Sequence, residues 1–438
     1  MSRLLVRRSA TALGIYSSFL FGILGTIAAT RELPTRHAVG VYTTVFFATG
    51  FLQSFFDLSA EEALVKYGFR YVTREEWGRL AGLFRAGMRA KLAGSVLGAV
   101  GLLVFAAFAR HELVVPLLLA AGIPLGQSLE GFAGIPLYLH GRYDVRAAFQ
   151  SWSMLLRMTG IAVGAHFGVA EAIAGVLAAQ LLATASIGVA GRRAFRRFPA
   201  AAREPLGADR REVLRFVGQS SISTGVLSLR AYLAPLLLVS VAGGVQGALF
   251  KIAQAPQTFF GTLSAPFRMV LLTEQTSDWE RGRQAVVLRG VRRYTLAAFA
   301  LSCAAVPPLE IWMPDLIRVV NGARWVDASS AARLFVGAAA VQLVVGWSKS
   351  FAVSIGRPDL RVRTNGLEAL VVLVLVVPLG ALWGATGAAG AMLAGSCVYA
   401  VAWLAIVARI VPEDGAPDPA AEAGAEAEIE AEVGVLAR

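Results

Sequence analysis

The chain alternates long uncharged apolar stretches with short arginine-rich ones. The apolar stretches have the length a bilayer dictates, since about 20 residues at 1.5 Å each cover a hydrocarbon core of about 30 Å. Runs of this kind occupy residues 9–30, 38–59, 90–109, 113–139, 146–166, 169–190, 213–241, 245–272, 294–312, 329–355, 364–383 and 385–408. The pattern predicts an all-α polytopic membrane protein of about twelve spans. Pro307 and Pro308 interrupt the ninth run and Glu310 closes it. The first run follows Arg3, Arg7 and Arg8, but it exceeds the roughly 7 to 15 residues of a signal-peptide core and many like it follow, so an uncleaved first span is expected.

Basic residues then give the orientation. Arg3, Arg7 and Arg8 precede span 1; Lys66, Arg70, Arg74, Arg79 and Arg85 lie between spans 2 and 3; Arg142 lies between 4 and 5. Arg192, Arg193, Arg196, Arg197, Arg203, Arg210 and Arg211 lie between 6 and 7, Arg281, Arg283, Arg289, Arg292 and Arg293 between 8 and 9, and Arg357, Arg361 and Arg363 between 10 and 11. The alternate loops hold only Arg31, Arg36, Arg110, Arg318 and Arg324. By the positive-inside rule the rich loops and both termini are cytoplasmic, with the bacterial inner membrane as the expected location. The stretch from Glu413 to Glu432, acidic among alanine, glycine and proline, is expected to be a disordered cytoplasmic tail.

Three segments recur six spans apart and in order. Gly141-Arg-Tyr-Asp-Val-Arg146 returns as Gly356-Arg-Pro-Asp-Leu-Arg361, and the segment from Gly168 to Ala178 returns loosely from Gly384 to Ala394. Trp77 to Arg89 has its counterpart in Trp279 to Arg292. Two homologous six-helix lobes are therefore expected, at 1–197 and 213–410, joined by a basic linker at 198–212 and followed by the tail at 411–438. Six is even, so the lobes share one orientation, with a substrate path between them.

Composition excludes a soluble enzyme of this size: 56% of residues are hydrophobic, 16% are charged and mean hydropathy is +0.62. The formal charge of +12, carried by short loops, suits an anionic membrane surface and argues against a nucleic-acid partner. Cys303 and Cys397 lie in apolar runs, and His37, His111, His140 and His166 lie at span ends, so no metal-ligand spacing arises. There is no phosphate-binding loop and no nucleophile turn, and hence no cofactor is indicated.

Charges inside spans cost roughly 2.5 to 3.5 kcal/mol at a helix centre unless they face protein or water, and so mark function. Arg215, Gln219, Ser223 and Arg230 share one quadrant of span 7; Lys251, Gln254, Thr258 and Thr262 share one in span 8, with Pro256 beside them; Arg146, Gln150, Ser153 and Arg157 do so in span 5, and Gln342 pairs with Lys349 in span 10. The stripes predict a hydrated cationic lumen suited to an anionic substrate. Arg146, Arg215, Arg268 and Lys349 lie near cytoplasmic ends, where such side chains also snorkel to the interface. Arg157, Arg230 and Lys251 lie deeper. Asp57, Glu130 and Glu368 are the acidic residues in or near spans, suited either to ion coupling or to charge pairing within the bundle.

Thr30-Arg-Glu-Leu-Pro-Thr with Val39-Gly-Val-Tyr42 resembles the start of the Wzx-type polysaccharide flippases. Phe56-Asp-Leu-Ser-Ala with Ala63-Leu-Val-Lys-Tyr67 is similar to their pattern closing span 2, except that Ser59 stands where glycine is usual, and Gly356-Arg-Pro-Asp-Leu with Asn365 resembles their loop after span 10. That family belongs to the multidrug/oligosaccharidyl-lipid/polysaccharide (MOP) exporter superfamily. The resemblance implies two lobes around a V-shaped cavity, alternating access, and a polyprenyl-diphosphate-linked oligosaccharide moved to the outer leaflet, with membrane lipids and glycan-assembly proteins as further partners. It makes Arg31, Arg157, Arg230 and Lys251 substrate-facing candidates, with Gln254, Arg215 and Lys349 beside them. Peptidoglycan-precursor flippases of the superfamily usually have fourteen spans, so twelve favours the polysaccharide branch. The alternatives are a drug or metabolite antiporter of the same fold and a membrane-embedded polymerase or ligase, against which the short outer loop from Met313 to Ala328 counts. A major-facilitator carrier lacks support because its loop motif is missing between Glu61 and Arg85.

Overall fold

The computed structural model describes residues 3–57, 60–207, 209–263, 275, 278–279, 283–355 and 357–410. Ser59, Arg268, Gly356 and the acidic tail lie outside them, as does the end of the eighth expected span. The described elements are helical: α1 (Arg3–Glu32), α2 (Arg36–Phe56), α3 (Ala60–Thr73), α4 (Trp77–Phe108), α5 (His111–Ala120), α6 (Ile123–Leu139), α7 (Tyr143–Phe167), α8 (Val169–Phe195), α9 (Asp209–Ser228), a π-turn (Leu229–Leu233), α10 (Ala234–Ala242), α11 (Gly244–Ala253), α12 (Ala255–Leu263), α13 (Gln284–Asn321), a 3-10 turn (Ala323–Ala328), α14 (Ser329–Val344), α15 (Ser348–Ser354) and α16 (Pro358–Ala408).

Among the described residues, eight helical segments are long and apolar enough to cross a membrane. The last of them folds back on itself at Gly384, whose φ of +56° admits the reversal that a Cβ would resist. A Cβ on Gly395 would meet Glu368 and Val372 of the other arm, so the eleventh and twelfth expected spans form an antiparallel hairpin. The described residues of the expected fifth, eighth and tenth spans are helical yet fall short as continuous apolar rods. Gln150, Arg157 and His166 dilute the first of these, and breaks at Gln254 and at 345–347 divide the other two. The double proline in the ninth expected span does not end the helix, because α13 runs through Pro307, Pro308 and Pro314 to Asn321. The outer loop expected from Met313 is consequently shorter.

The chain reverses six times at one end, and these turns touch each other. His37 Nε2 lies 2.7 Å from Glu112 Oε2, Arg36 Nη1 lies 2.8 Å from Asp327 Oδ2, and Ala385 N donates to Gln246 Oε1 at 2.8 Å. We call this the Trp325 end. The opposite, basic end gathers the arginine-rich connections; there His140 Nε2 meets Ala194 O at 2.8 Å and Tyr71 Oη donates to Asp209 Oδ2 at 2.9 Å.

The core forks between the two ends. One apolar cluster joins both halves of the chain, from Leu33, Val45 and Phe47 to Phe250, Trp325 and Phe335. Toward the basic end separate clusters replace it, one around Tyr67, Tyr71 and Phe84 with a smaller one around Ile187 in the first half, and another around Trp347, Phe351 and Trp403 in the second. The halves are thus packed as one body at the Trp325 end and as two at the basic end. The two halves meet backbone to backbone where α2 crosses α11, and a Cβ on Gly40 would lie 2.6 Å from the Gly244 carbonyl carbon. Gly40→Ala is expected to lower stability by about 1 to 3 kcal/mol through overpacking, against no loss for Gly366→Ala, whose added Cβ meets nothing within 4 Å. Unfolding titrations in mixed micelles provide the comparison.

The helix α3 lies where the sequence reading placed only a loop. Its buried positions Ala60, Ala63, Leu64, Tyr67, Gly68 and Tyr71 follow a helical period along one face, too short and too polar elsewhere to register as a span.

Candidate functional site

Between the halves, the seventh expected span changes allegiance midway. Its first part, α9, packs on the first half, with the Tyr67 and Phe216 rings 5.9 Å apart and Arg70 Nη2 3.1 Å from Glu212 Oε1. Tyr67 titrates above its ordinary range, chiefly through burial and then through the Glu212 carboxylate beside it. Its last part, α10, packs on the second half, with Ala234 and Leu238 fully buried. The π-turn joins them: Ala234 N donates to Leu229 O, five residues back, and Pro235 supplies no donor to restore the α ladder. Single-turn π segments re-aim side chains, and this one carries Arg230 and Tyr232. Tyr232 lies over the bare backbone of Gly50 on α2, with its ring 6.4 Å from Phe46.

Arg230 pairs with Glu368, which is 4% exposed. Gln342 Nε2 donates to the same carboxylate at 3.3 Å and to Ser396 Oγ at 3.2 Å. The first half holds a parallel arrangement. Arg157 Nη2 lies 2.9 Å from Glu130 Oε2, and Gln180 Nε2 donates to that oxygen at 2.7 Å. At the basic end of α2, Lys91, 3% exposed, pairs with Asp57 and lies 2.8 Å from Glu61. Each of the three carboxylates considered for ion coupling therefore faces a cation, the arrangement that offsets the cost of charge in a low dielectric.

Lys251 differs. Its Nζ stands 4.2 Å from the Phe46 ring centroid and 5.9 Å from that of Phe47, and no carboxylate lies within 4.0 Å of it among the described residues. The ring faces compensate a cation weakly and leave its charge available. Gln254 occupies the break between α11 and α12 one turn on. Lys251, Phe46 and Tyr232 thus form a series across the interface of the halves, and Arg230 lies on the same π-turn as Tyr232.

The remaining candidates lie elsewhere. Arg157 is enclosed in the first half, Arg215 is exposed on α9 beside Arg210 and Arg211, and Lys349 is half-buried on α15. The side chains of Ser223 and Thr262 lie outside the described residues. Arg31 donates to the carbonyls of Val319 and, at 2.9 Å, Val320, and so joins a latch at the Trp325 end.

That latch is the feature sequence reasoning missed. Arg324 donates to the carbonyls of Thr30, of Leu33 at 2.7 Å and of Pro34 at 3.1 Å; Trp325 Nε1 donates to Thr30 O at 3.1 Å; and Asn321 Nδ2 donates to Thr30 Oγ1 at 3.0 Å. Trp325 is fully buried. The signal was a tryptophan in a loop, since a residue with so much apolar area seldom stands in a turn without a pocket.

Helical spans, alternating turns, and two half-bundles fused at one end with a polar series between them define a multi-pass membrane protein with the fold of the MOP superfamily transporters. Among solved structures, the lipid II flippase MurJ in an inward closed conformation matches with a TM-score of 0.73 at 14% identity, over 91% of this chain and 87% of that one. An inward-facing multidrug resistance MATE family transporter matches at 0.66 and 15% identity, over 89% and 93%. A MOP superfamily transporter from Pyrococcus furiosus, described as having a binding pocket of reverse polarity, matches at 0.58 and 17% identity, over 91% and 93%. No protein-family model and no curated protein matches the chain. At these identities the likeness is one of fold.

Proposed function

We propose that the chain is a flippase that moves a lipid-linked oligosaccharide, carried on a polyprenyl diphosphate, from the inner to the outer leaflet by alternating access. The observation that carries this reading is Lys251, a cation at the interface of the halves with aromatic but, among the described residues, no carboxylate neighbours. A diphosphate headgroup would replace weak ring contacts with charge-assisted hydrogen bonds, worth roughly 1.5 to 3 kcal/mol each. Arg230, on the π-turn, would offer a second cation, while the lipid tail stays in the bilayer. With the basic end in the cytoplasm, the forked core opens toward the leaflet where such substrates are assembled. The fold shared with a lipid II flippase supports transport of a lipid-linked cargo, and the paired state of Asp57, Glu130 and Glu368 gives less support to a cation antiporter.

The test is leaflet accessibility of a fluorescent polyprenyl-diphosphate oligosaccharide in proteoliposomes. The wild type is expected to transfer it, Lys251→Ala to slow transfer by tenfold or more, and Lys251→Arg to retain most of it. No transfer by the wild type under any imposed ion gradient or voltage would overturn the reading in favour of a drug or metabolite antiporter.

A further inference from the structure

The first half carries a second cationic feature, away from the interface of the halves. A groove of about 1040 Å³ runs between α4, α6 and α8 at the basic end. Six arginines line it: Arg85, Arg89, Arg192, Arg193, Arg196 and Arg203. Among the described residues none of these side chains has an ion pair or hydrogen bond to a protein group, although basic residues nearby, such as Arg70 and Arg79, are paired.

The lining is graded. Arg192, Arg193 and Arg196 stand at the basic end of α8, whereas Thr184, Ala185, Gly188 and Val189 line it toward the bundle middle, facing Leu129 and Phe132 of α6. From Thr184 to Arg196 the groove follows α8 for about 18 Å. A soluble phosphate would use only the arginine end of such a site. An acyl chain below a phosphate headgroup would use all of it. Gly188 keeps the apolar part open, since a Cβ there meets nothing within 4 Å, and Leu181, Leu182 and Val189 expose more than half of their surface alongside.

The geometry points to a bound anionic membrane lipid in this groove, a phospholipid bearing two phosphodiesters, held by the arginines at the headgroup and by the α6–α8 cleft along its acyl chains. Six guanidinium groups match two phosphates better than one, because a phosphate oxygen set is satisfied by two or three guanidinium forks. Basic pockets between spanning helices at the cytoplasmic side are suited to such headgroups. The inference is independent of the flippase reading and requires only that the chain lie in a membrane.

Native mass spectrometry of the full chain, released from micelles containing diphosphatidylglycerol, phosphatidylglycerol and phosphatidylethanolamine, reads it directly. The wild type is expected to retain one diphosphatidylglycerol at least tenfold better than phosphatidylglycerol. The triple substitution Arg192→Ala, Arg193→Ala, Arg196→Ala should lose that retention tenfold or more. Arg357→Ala, Arg361→Ala, Arg363→Ala, which removes equal charge from the same end, should keep it. Gly188→Phe fills the open cleft without touching an arginine, and should lose retention even where the triple variant fails to fold. Equal retention of the two anionic phospholipids, unchanged retention in Gly188→Phe, or equal loss in the control would overturn the inference. So would displacement of the bound lipid, one for one, by a polyprenyl diphosphate, which would make the groove a substrate site; because lipid retention is read without transport, its failure and that of the flippase reading are separable.

Discussion

Arg324→Ala is expected to release the Trp325 end, shifting the balance from latched to open by about 3 to 5 kcal/mol. The guanidinium donates to four main-chain carbonyls of the 30–34 segment, those of Thr30, Arg31, Leu33 and Pro34, and hydrogen bonds from charged groups contribute roughly 1.5 to 3 kcal/mol each before solvent exposure discounts them. Those carbonyls lie at the end of α1, where the helix has no further N–H groups to offer, so losing Arg324 leaves acceptors without donors. A shift of about 4 kcal/mol corresponds to roughly a thousandfold change in the equilibrium. Spin labels at Glu32 and Ser330, both exposed, with Cys303→Ser and Cys397→Ser to remove the exposed native thiols, should give a single short distance in the parent. Arg324→Ala should add a long-distance population or replace the short one. An unchanged distribution would mean that Trp325 and the Gly40–Gly244 crossing hold this end without the arginine.

Arg230→Ala carries the second large effect. It leaves Glu368 buried with only Gln342 and no cation, a situation that costs about 3 to 5 kcal/mol in buried pairs, while removing both charges is far milder. The double variant Arg230→Ala, Glu368→Gln should therefore recover most of the stability lost by the single one in unfolding titrations. Transport separates the two roles of Arg230. If the guanidinium touches substrate, the stable double variant still transfers poorly; wild-type rates in the double variant would confine Arg230 to a structural pairing.

How much of this was legible in the sequence follows from what sets each feature. Span positions and the segregation of arginine depend on composition over about 20 residues, and twelve stretches could be read with ends displaced by a few residues. The helix breaks at Gln254 and 345–347 and the continuity of α13 through Pro307 depend on tertiary packing, which a hydropathy window does not sense. The ionisable residues inside spans were visible one at a time. Their pairing was not: Glu130 with Arg157 and Glu368 with Arg230 lie 27 and 138 residues apart, so a stripe of positive charge on one helix gave no sign of the carboxylate facing it. Lys91 stands at the start of an apolar run, where hydropathy over about 20 residues gives a lone cation no weight, and its partners Asp57 and Glu61 lie 34 and 30 residues away. The latch was hidden for a different reason, because most of its acceptors are main-chain carbonyls.

Any residue supplies a carbonyl. The carbonyls that Arg324 and Trp325 grip between Thr30 and Pro34 are therefore indifferent to the letters that carry them, whereas the Thr30 hydroxyl, held by Asn321, and the Arg31 guanidinium, held by the Val319 and Val320 carbonyls, are not. Two chains could share this closure and agree at few positions around it. Relatives of this protein are better sought through a Gly-x-Arg-Trp turn placed against the end of the first helix than through the residues that the turn grips.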